Sequence, residues 1–202
     1  MEPAVAPCPI TTPDGVVLAA DLAMAASPRG GAVLLHPHPR FGGNRFNNVV
    51  DALFRALPSR GISALRFDFR SGSGGDRSPL TNERVDAAAA VGALAVLGPD
   101  RPVFLVGYSF GAAVALGVTH PALVARVVIA PPLAVMDIGN PVALPTLVLV
   151  PEHDDFSPPD AVAPIIADWP NTTMEVIDAA DHFMAGRAEA AADVAAAWLA
   201  AR

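Results

Sequence analysis

Short apolar runs alternate with segments of helical periodicity along most of this chain, and this alternation is the strongest constraint on its fold. The runs are bounded by Gly, Pro or polar residues, which is typical of strands buried on both faces of a parallel sheet. The predicted strands are residues 32–35, 64–69, 103–106, 127–130, 146–150 and 174–177. The predicted helices are residues 48–57, 82–97, 110–118, 159–169 and 188–201. This order predicts an α/β fold with a mostly parallel sheet and helices on both faces.

The N-terminal part of the chain has a different pattern. The turn signal Pro13-Asp14-Gly15 separates residues 9–11 from an extended segment at residues 16–22. Such a turn between two β-prone segments predicts a hairpin. With these segments the central sheet is expected to hold about eight strands.

Length and charge restrict the classes of protein and partner. At 202 residues the chain fits a single domain, residues 1–202. A net charge of −7 argues against nucleic acid as a partner. The single cysteine, Cys8, excludes an intrachain disulfide and is interpreted as structural. No signal peptide and no apolar stretch of about 20 residues is seen, so we expect a cytoplasmic monomer or homodimer without membrane contact.

The segment Gly107-Tyr108-Ser109-Phe110-Gly111 lies between a predicted buried strand and a predicted helix made of small residues. In a G-x-S-x-G turn, the flanking glycines let strand and helix approach closely, and the serine hydroxyl projects beyond the sheet. Ser109 is therefore the candidate nucleophile, and the N–H of Phe110 is a candidate oxyanion donor. The alternative is an ordinary glycine-rich turn between a strand and a helix.

A serine nucleophile needs a general base and an acid that orients it. In the strand–turn–helix arrangement these follow the serine as acid and then histidine, each after a later strand. His182 follows the predicted strand 174–177 and is the candidate base. Asp154 follows the strand 146–150 and is the candidate acid, with Asp155 as its competitor and Asp137 as a more distant one.

A second oxyanion donor is expected from the loop after strand 32–35, which contains His36 and reads H-P-H-P-R-F-G-G. Prolines have no N–H, so the N–H groups of His38 and Arg40 are the first candidates. A metal site at His36 and His38 is disfavoured, because no third ligand has matching spacing.

These motifs resemble the α/β-hydrolase superfamily over nearly the full chain. The resemblance is to small bacterial hydrolases with an H-P-H-P-x-x-G-G loop, in the neighbourhood of dienelactone hydrolases and peptidase-like esterases; residues 66–74 also match a recurring segment of these proteins. It implies an α/β-hydrolase fold with Ser109, Asp154 and His182 as a catalytic triad. Two positions depart from the family pattern. Ser71 and Pro151 each stand where the family commonly has glycine. Because Pro151 lies in the acid loop, it weakens the choice of Asp154 over Asp155.

Many relatives insert a helical lid after the strand corresponding to residues 127–130. Here only about fifteen residues separate that strand from the next, so the resemblance implies no cap domain.

The open cleft suits small carboxylic esters, cleaved through an acyl-enzyme with no metal or organic cofactor. Thioesterase, peptidase, perhydrolase and a non-catalytic binding protein remain alternatives. The expected lining residues are Phe41, Phe46, Tyr108, Phe110, Pro132, Phe156 and Phe183.

Overall fold

The computed structural model describes residues 4–70, 80–138 and 141–202. Within these ranges the chain forms ten strands: β1 (Val5–Pro7), β2 (Ile10–Thr11), β3 (Val17–Leu18), β4 (Ala20–Ala23), β5 (Gly30–Leu35), β6 (Ile62–Phe67), β7 (Val103–Tyr108), β8 (Leu123–Ile129), β9 (Thr146–His153) and β10 (Thr172–Asp181). The same ranges contain five α-helices: α1 (Asn48–Ala56), α2 (Thr81–Leu97), α3 (Phe110–Leu116), α4 (Pro159–Ile166) and α5 (Ala188–Ala200). Residues 71–74 of the family-like segment, including Ser71, lie outside the described ranges.

Eight of these strands form one sheet in the order β1-β4-β6-β5-β7-β8-β9-β10. Neighbouring strands from β6 to β10 are parallel, while β4 pairs antiparallel with both β1 and β6. The prediction of a mostly parallel sheet of about eight strands is confirmed. Each predicted helix is also present, with shifts of a few residues at its ends.

The N-terminal hairpin forms as predicted, but the segment 16–22 is not one strand. β2 pairs antiparallel with β3, with Ile10 opposite Leu18, in a separate two-stranded sheet. β4 instead joins the main sheet, where Ala20 lies opposite Phe67 of β6. The prediction of a single strand was wrong because Ala19 separates residues that pair with different partners; its carbonyl accepts the N–H of Asp68.

Apolar side chains pack on both faces of the sheet, because successive strand residues point to opposite sides. On β5, Val33 and Leu35 pack on one face with α2, α3 and α4, whereas Ala32 and Leu34 pack on the other with α1 and α5. The helices are therefore distributed on both faces, as the sequence predicted.

The course of the chain across the sheet changes direction at β5. The chain passes from β5 to β6 on one side, then crosses back through α2 to β7 on the other side. In open α/β sheets, ligands bind beyond the carboxyl ends of the strands at such a switch point. The loops after β5 and β7, which hold His38 and Ser109, meet at this crevice.

The connection between β8 and β9 is residues 130–145, which is too short for a cap domain. Throughout the described ranges, no helix is long and apolar enough to cross a bilayer.

Candidate active site

Ser109 lies in a tight turn between β7 and α3, with φ +52° and ψ −114°. A left-handed φ is costly for a residue other than glycine, by about 1–3 kcal/mol, and such strain clusters at functional sites. A Cβ atom on Gly107 would lie 2.2 Å from the carbonyl oxygen of Gly111, and one on Gly111 would lie 2.4 Å from that of Leu35. Both glycines are therefore required by the close contact of α3 with β7 and β5.

The structure brings His182 to Ser109. The Nε2 atom of His182 lies 2.9 Å from the Ser109 Oγ. The imidazole is largely buried, with 8% of the residue exposed, and its Nδ1 faces a carboxylate. This places a hydrogen-bond acceptor against the serine hydroxyl when the Nδ1 atom carries the proton.

The carboxylate is that of Asp154, whose Oδ2 lies 2.8 Å from His182 Nδ1. Its Oδ1 accepts the N–H groups of Phe156 at 2.8 Å and Ser157 at 3.0 Å. Burial alone would raise the pKa of Asp154, but the hydrogen bonds from His182, Ser157 and Phe156 outweigh it and hold the pKa below its usual value. The side chain is thus kept ionised, while Asp155 is exposed.

Asp154 follows its strand directly because β9 extends to His153, beyond the predicted end at residue 150. The more distant competitor, Asp137, lies before β9 in the connection from β8. His153 is exposed and lies 3.6 Å from Glu152, and His120 accepts the N–H of Ala122 on its Nδ1. Neither histidine is among the residues that line the cavity over Ser109.

Two side chains hold the His182 loop, and neither role was predicted. The buried Tyr108 hydroxyl donates a 2.7 Å hydrogen bond to the carbonyl oxygen of His182. The Nδ2 of Asn48, at the start of α1, donates to the carbonyl oxygen of Phe183 at 3.2 Å. Tyr108 was expected only to line the cleft, since its sequence position beside Ser109 contains no signal of a partner 74 residues away.

The loop after β5 is fixed by its two glycines. Gly42 ends a short 3-10 helix (Pro39–Phe41) with φ +82°. A Cβ on Gly43 would lie 2.0 Å from the carbonyl oxygen of Pro37, so the loop folds back on itself there. The N–H of Arg40 donates to His38 Nδ1 at 3.1 Å and is therefore directed into its own loop. Arg40 is exposed and does not line the cavity, which disfavours it as an oxyanion donor.

His36 is the first residue of this loop and is buried. Its Nε2 accepts the N–H of Phe69 at 3.1 Å, so its Nδ1 carries the proton and donates to the carbonyl oxygen of Pro37 at 2.6 Å. Burial lowers the pKa of His36, and the neutral ring joins the loop to the end of β6. No group of three or more His, Cys, Asp or Glu side chains suited to a metal ion occurs in the described part of the chain.

A cavity of about 860 Å³ opens over Ser109 and His182. Its lining includes six of the expected residues: Phe41, Tyr108, Phe110, Pro132, Phe156 and Phe183. The oxyanion candidate His38 also lines it, together with residues the sequence did not single out: Asn47, Asn48, Val135 and Met136. Phe46 was wrongly expected there. Its ring packs against the guanidinium groups of Arg45 and Arg66, whose Cζ atoms lie 4.4 and 4.7 Å from the ring centroid. These cation–π contacts hold Phe46 outside the cavity.

Known proteins share this architecture. An uncharacterised protein of Rickettsia prowazekii is 31% identical over 185 residues, which cover 83% of this chain and 77% of that protein. A putative α/β hydrolase of Agrobacterium tumefaciens superposes with a TM-score of 0.83 at 26% identity, covering 96% of this chain and 94% of that one. An α/β serine hydrolase without a lid from Xanthomonas campestris gives a TM-score of 0.82 at 26% identity, covering 94% and 91%.

The model of the α/β hydrolase family matches residues 32–199, a span that begins in β5 and ends in α5. This span includes the turn at Ser109, the Asp154 loop and His182. The resemblance inferred from the sequence is confirmed: the chain belongs to the α/β hydrolase family.

Proposed function

We propose that the protein is a serine hydrolase that cleaves small carboxylic esters, with Ser109 as nucleophile, His182 as general base and Asp154 as the orienting acid. The observation that carries the proposal is the continuous chain of hydrogen-bonding contacts from Ser109 Oγ to His182 Nε2 at 2.9 Å and from His182 Nδ1 to Asp154 Oδ2 at 2.8 Å. This is the arrangement that makes a serine hydroxyl nucleophilic.

In the first step His182 takes the Ser109 proton as Oγ bonds to the ester carbonyl carbon. The carbonyl oxygen becomes an oxyanion, and His182 then gives its proton to the leaving alcohol as the ester C–O bond breaks. In the second step His182 takes a proton from water, whose oxygen attacks the acyl-enzyme. The acid is released and Ser109 recovers its proton. Asp154 stays ionised and stabilises the imidazolium in both steps.

Two backbone N–H groups are assigned to the oxyanion. Phe110 is the first residue of α3, so its N–H has no acceptor within the helix and lies next to the nucleophile. His38 is the second candidate, because it lines the same cavity and its ring lies 4.6 Å from that of Phe110. Removing one such donor typically lowers kcat by about 10²–10³-fold.

The test is labelling by a fluorophosphonate probe, which reacts with activated serines, combined with hydrolysis of a short p-nitrophenyl ester. We expect wild type to be labelled and to turn over the ester, and Ser109→Ala to lose both. Ser63→Ala removes another buried serine, on β6 and outside the lining of this cavity, and serves as the control for labelling at Ser109. Unchanged ester hydrolysis by Ser109→Ala would refute the assignment.

A further inference from the structure

The position of His182 determines where the leaving group of a substrate must lie. In acyl transfer the same imidazole nitrogen takes the serine proton and then delivers it to the departing oxygen. The departing oxygen must therefore come within hydrogen-bond reach of His182 Nε2, which lies 2.9 Å from Ser109 Oγ. The leaving alcohol is accordingly held on the His182 side of the cavity, and the acyl group on the other side.

Two aromatic rings flank His182 on that side. The Phe156 ring lies 4.6 Å from the imidazole at an angle of 60°, and the Phe183 ring lies 5.7 Å away at 88°. The two phenyl rings are 6.4 Å apart and nearly perpendicular. Both line the cavity, and both are substantially exposed, at 46% and 65%. They thus present free aromatic surface next to the group that protonates the leaving alcohol.

Hydrogen bonds to side chains of the candidate site hold the backbone at both Phe156 and Phe183. The N–H of Phe156 donates to Asp154 Oδ1 at 2.8 Å, and the carbonyl of Phe183 accepts Asn48 Nδ2 at 3.2 Å. Truncating either side chain leaves these backbone bonds in place. The two rings are therefore anchored walls of the cleft, and their apolar faces can be removed without deleting a hydrogen bond.

The charge of the cavity restricts what the rings can receive. Its lining, over the residues that the structure describes, contains no Asp, Glu, Lys or Arg. A charged leaving group would find no oppositely charged side chain among these residues, so any desolvation on binding would be uncompensated and would cost free energy. A neutral aromatic group gains from edge-to-face contact with two rings and from burial of its own apolar surface.

We propose that Phe156 and Phe183 form a leaving-group subsite, and that the protein favours esters whose alcohol portion is a neutral aryl group. The inference rests on the proposed function, because it requires His182 to be the proton donor to the departing oxygen. It assigns a substrate class by the alcohol and leaves the acyl portion to the rest of the cavity, whose lining includes Phe41, with its ring 5.2 Å from that of His38.

The test compares phenyl acetate with hexafluoroisopropyl acetate, which share an acyl group and have leaving alcohols of similar acidity, one with a ring and one without. The quantity is the ratio of kcat/KM for the two esters, since kcat/KM includes the acylation step in which the alcohol departs. We expect Phe156→Ala and Phe183→Ala each to lower this ratio by about fivefold. A general loss of catalysis, such as a shift of His182 after truncation of Phe156, cancels in the ratio.

Phe41→Ala is the matched control, because it removes another exposed phenyl ring of the same cavity. Its ratio is expected to stay within about twofold of wild type. A ratio unchanged in both the Phe156 and Phe183 variants, or lowered equally by Phe41→Ala, would overturn the subsite while labelling of Ser109 still supports a serine hydrolase. Absence of both labelling and hydrolysis in wild type would reject the proposed function and this inference together.

Discussion

The Tyr108 hydroxyl donates a 2.7 Å hydrogen bond to the carbonyl oxygen of His182, so the residue before Ser109 holds the backbone of the residue that Ser109 contacts. Tyr108→Phe keeps the ring and removes this bond. We expect kcat for a short ester to fall by about fivefold with KM unchanged, because one hydrogen bond is worth about 1 kcal/mol. Steady-state kinetics will measure both parameters. Asn48→Ala, which removes the more exposed bond to Phe183, is the comparison and should have a smaller effect on kcat.

The choice between neighbouring carboxylates is tested by Asp154→Asn and Asp155→Asn. Asp154 accepts from His182 whereas Asp155 is exposed, so only the first variant leaves the imidazole in the wrong tautomer. We expect kcat to fall by a factor on the order of 10⁴ in Asp154→Asn and to stay near wild type in Asp155→Asn. Equal losses in the two variants would contradict the assignment.

The glycines of the loop after β5 provide a second matched pair. Gly43→Ala places a Cβ 2.0 Å from the Pro37 carbonyl oxygen, so the loop must shift. The Cβ added by Gly42→Ala has no atom within 4 Å. This variant loses only the free energy needed to hold an alanine at a left-handed φ, about 1–2 kcal/mol. Fluorophosphonate labelling rates should fall by at least about tenfold in Gly43→Ala and little in Gly42→Ala, because only the first moves His38. Similar labelling rates in both variants would argue against this role of the loop.

The buried His36 predicts a pH dependence of stability. Its pKa is lowered in the folded state from an ordinary value of 6.5, so the unfolded chain binds more protons below that pH. The free energy of unfolding should therefore decrease as the pH falls below about 6.5. In His36→Gln, which removes this titration, urea denaturation at about pH 7.5 and about pH 5 should give a smaller difference than in wild type. Parallel curves for the two proteins would contradict the prediction.

Arg126 on β8 is 1% exposed and donates to the carbonyl oxygen of Leu116 at 3.0 Å, to that of Val142 and to Thr146 Oγ1. Burial lowers the pKa of Arg126 to about 10, so the group is still charged at neutral pH. Arg126→Met leaves buried carbonyls unpaired and should lower the free energy of unfolding by about 3 kcal/mol. Chemical denaturation will measure this loss, and Arg126→Lys, which keeps a cation, should lose less.

The parts of the fold predicted correctly are those whose signal is local. The strand before Ser109 is a short apolar run, and Gly107 is needed because a Cβ there would meet the carbonyl oxygen of Gly111 in the same turn. The order of the Asp154 and His182 loops also follows from chain sequence, because consecutive strands end at the same edge of a parallel sheet.

The parts missed depend on contacts between distant residues. The predicted strand begins at residue 127, whereas β8 begins at Leu123 and includes Arg126, whose carbonyl partners allow it to be buried. The sequence predicts that Phe46 lines the cleft, but its ring packs against two guanidinium groups outside the cavity. The extension of β9 to His153, which places Asp154, likewise depends on pairing of His153 with Asp181 of β10.

The spacing of the site along the chain bears on the timing of its assembly during synthesis. Ser109 and His182 are 73 residues apart, and β8, β9 and β10 all emerge from the ribosome between them. A nascent chain that has completed only the turn after β7 has a serine without a proton acceptor, and closing so long a loop is among the slower events of folding. We therefore expect Ser109 to become reactive toward a phosphonate only after β9 and β10 have docked.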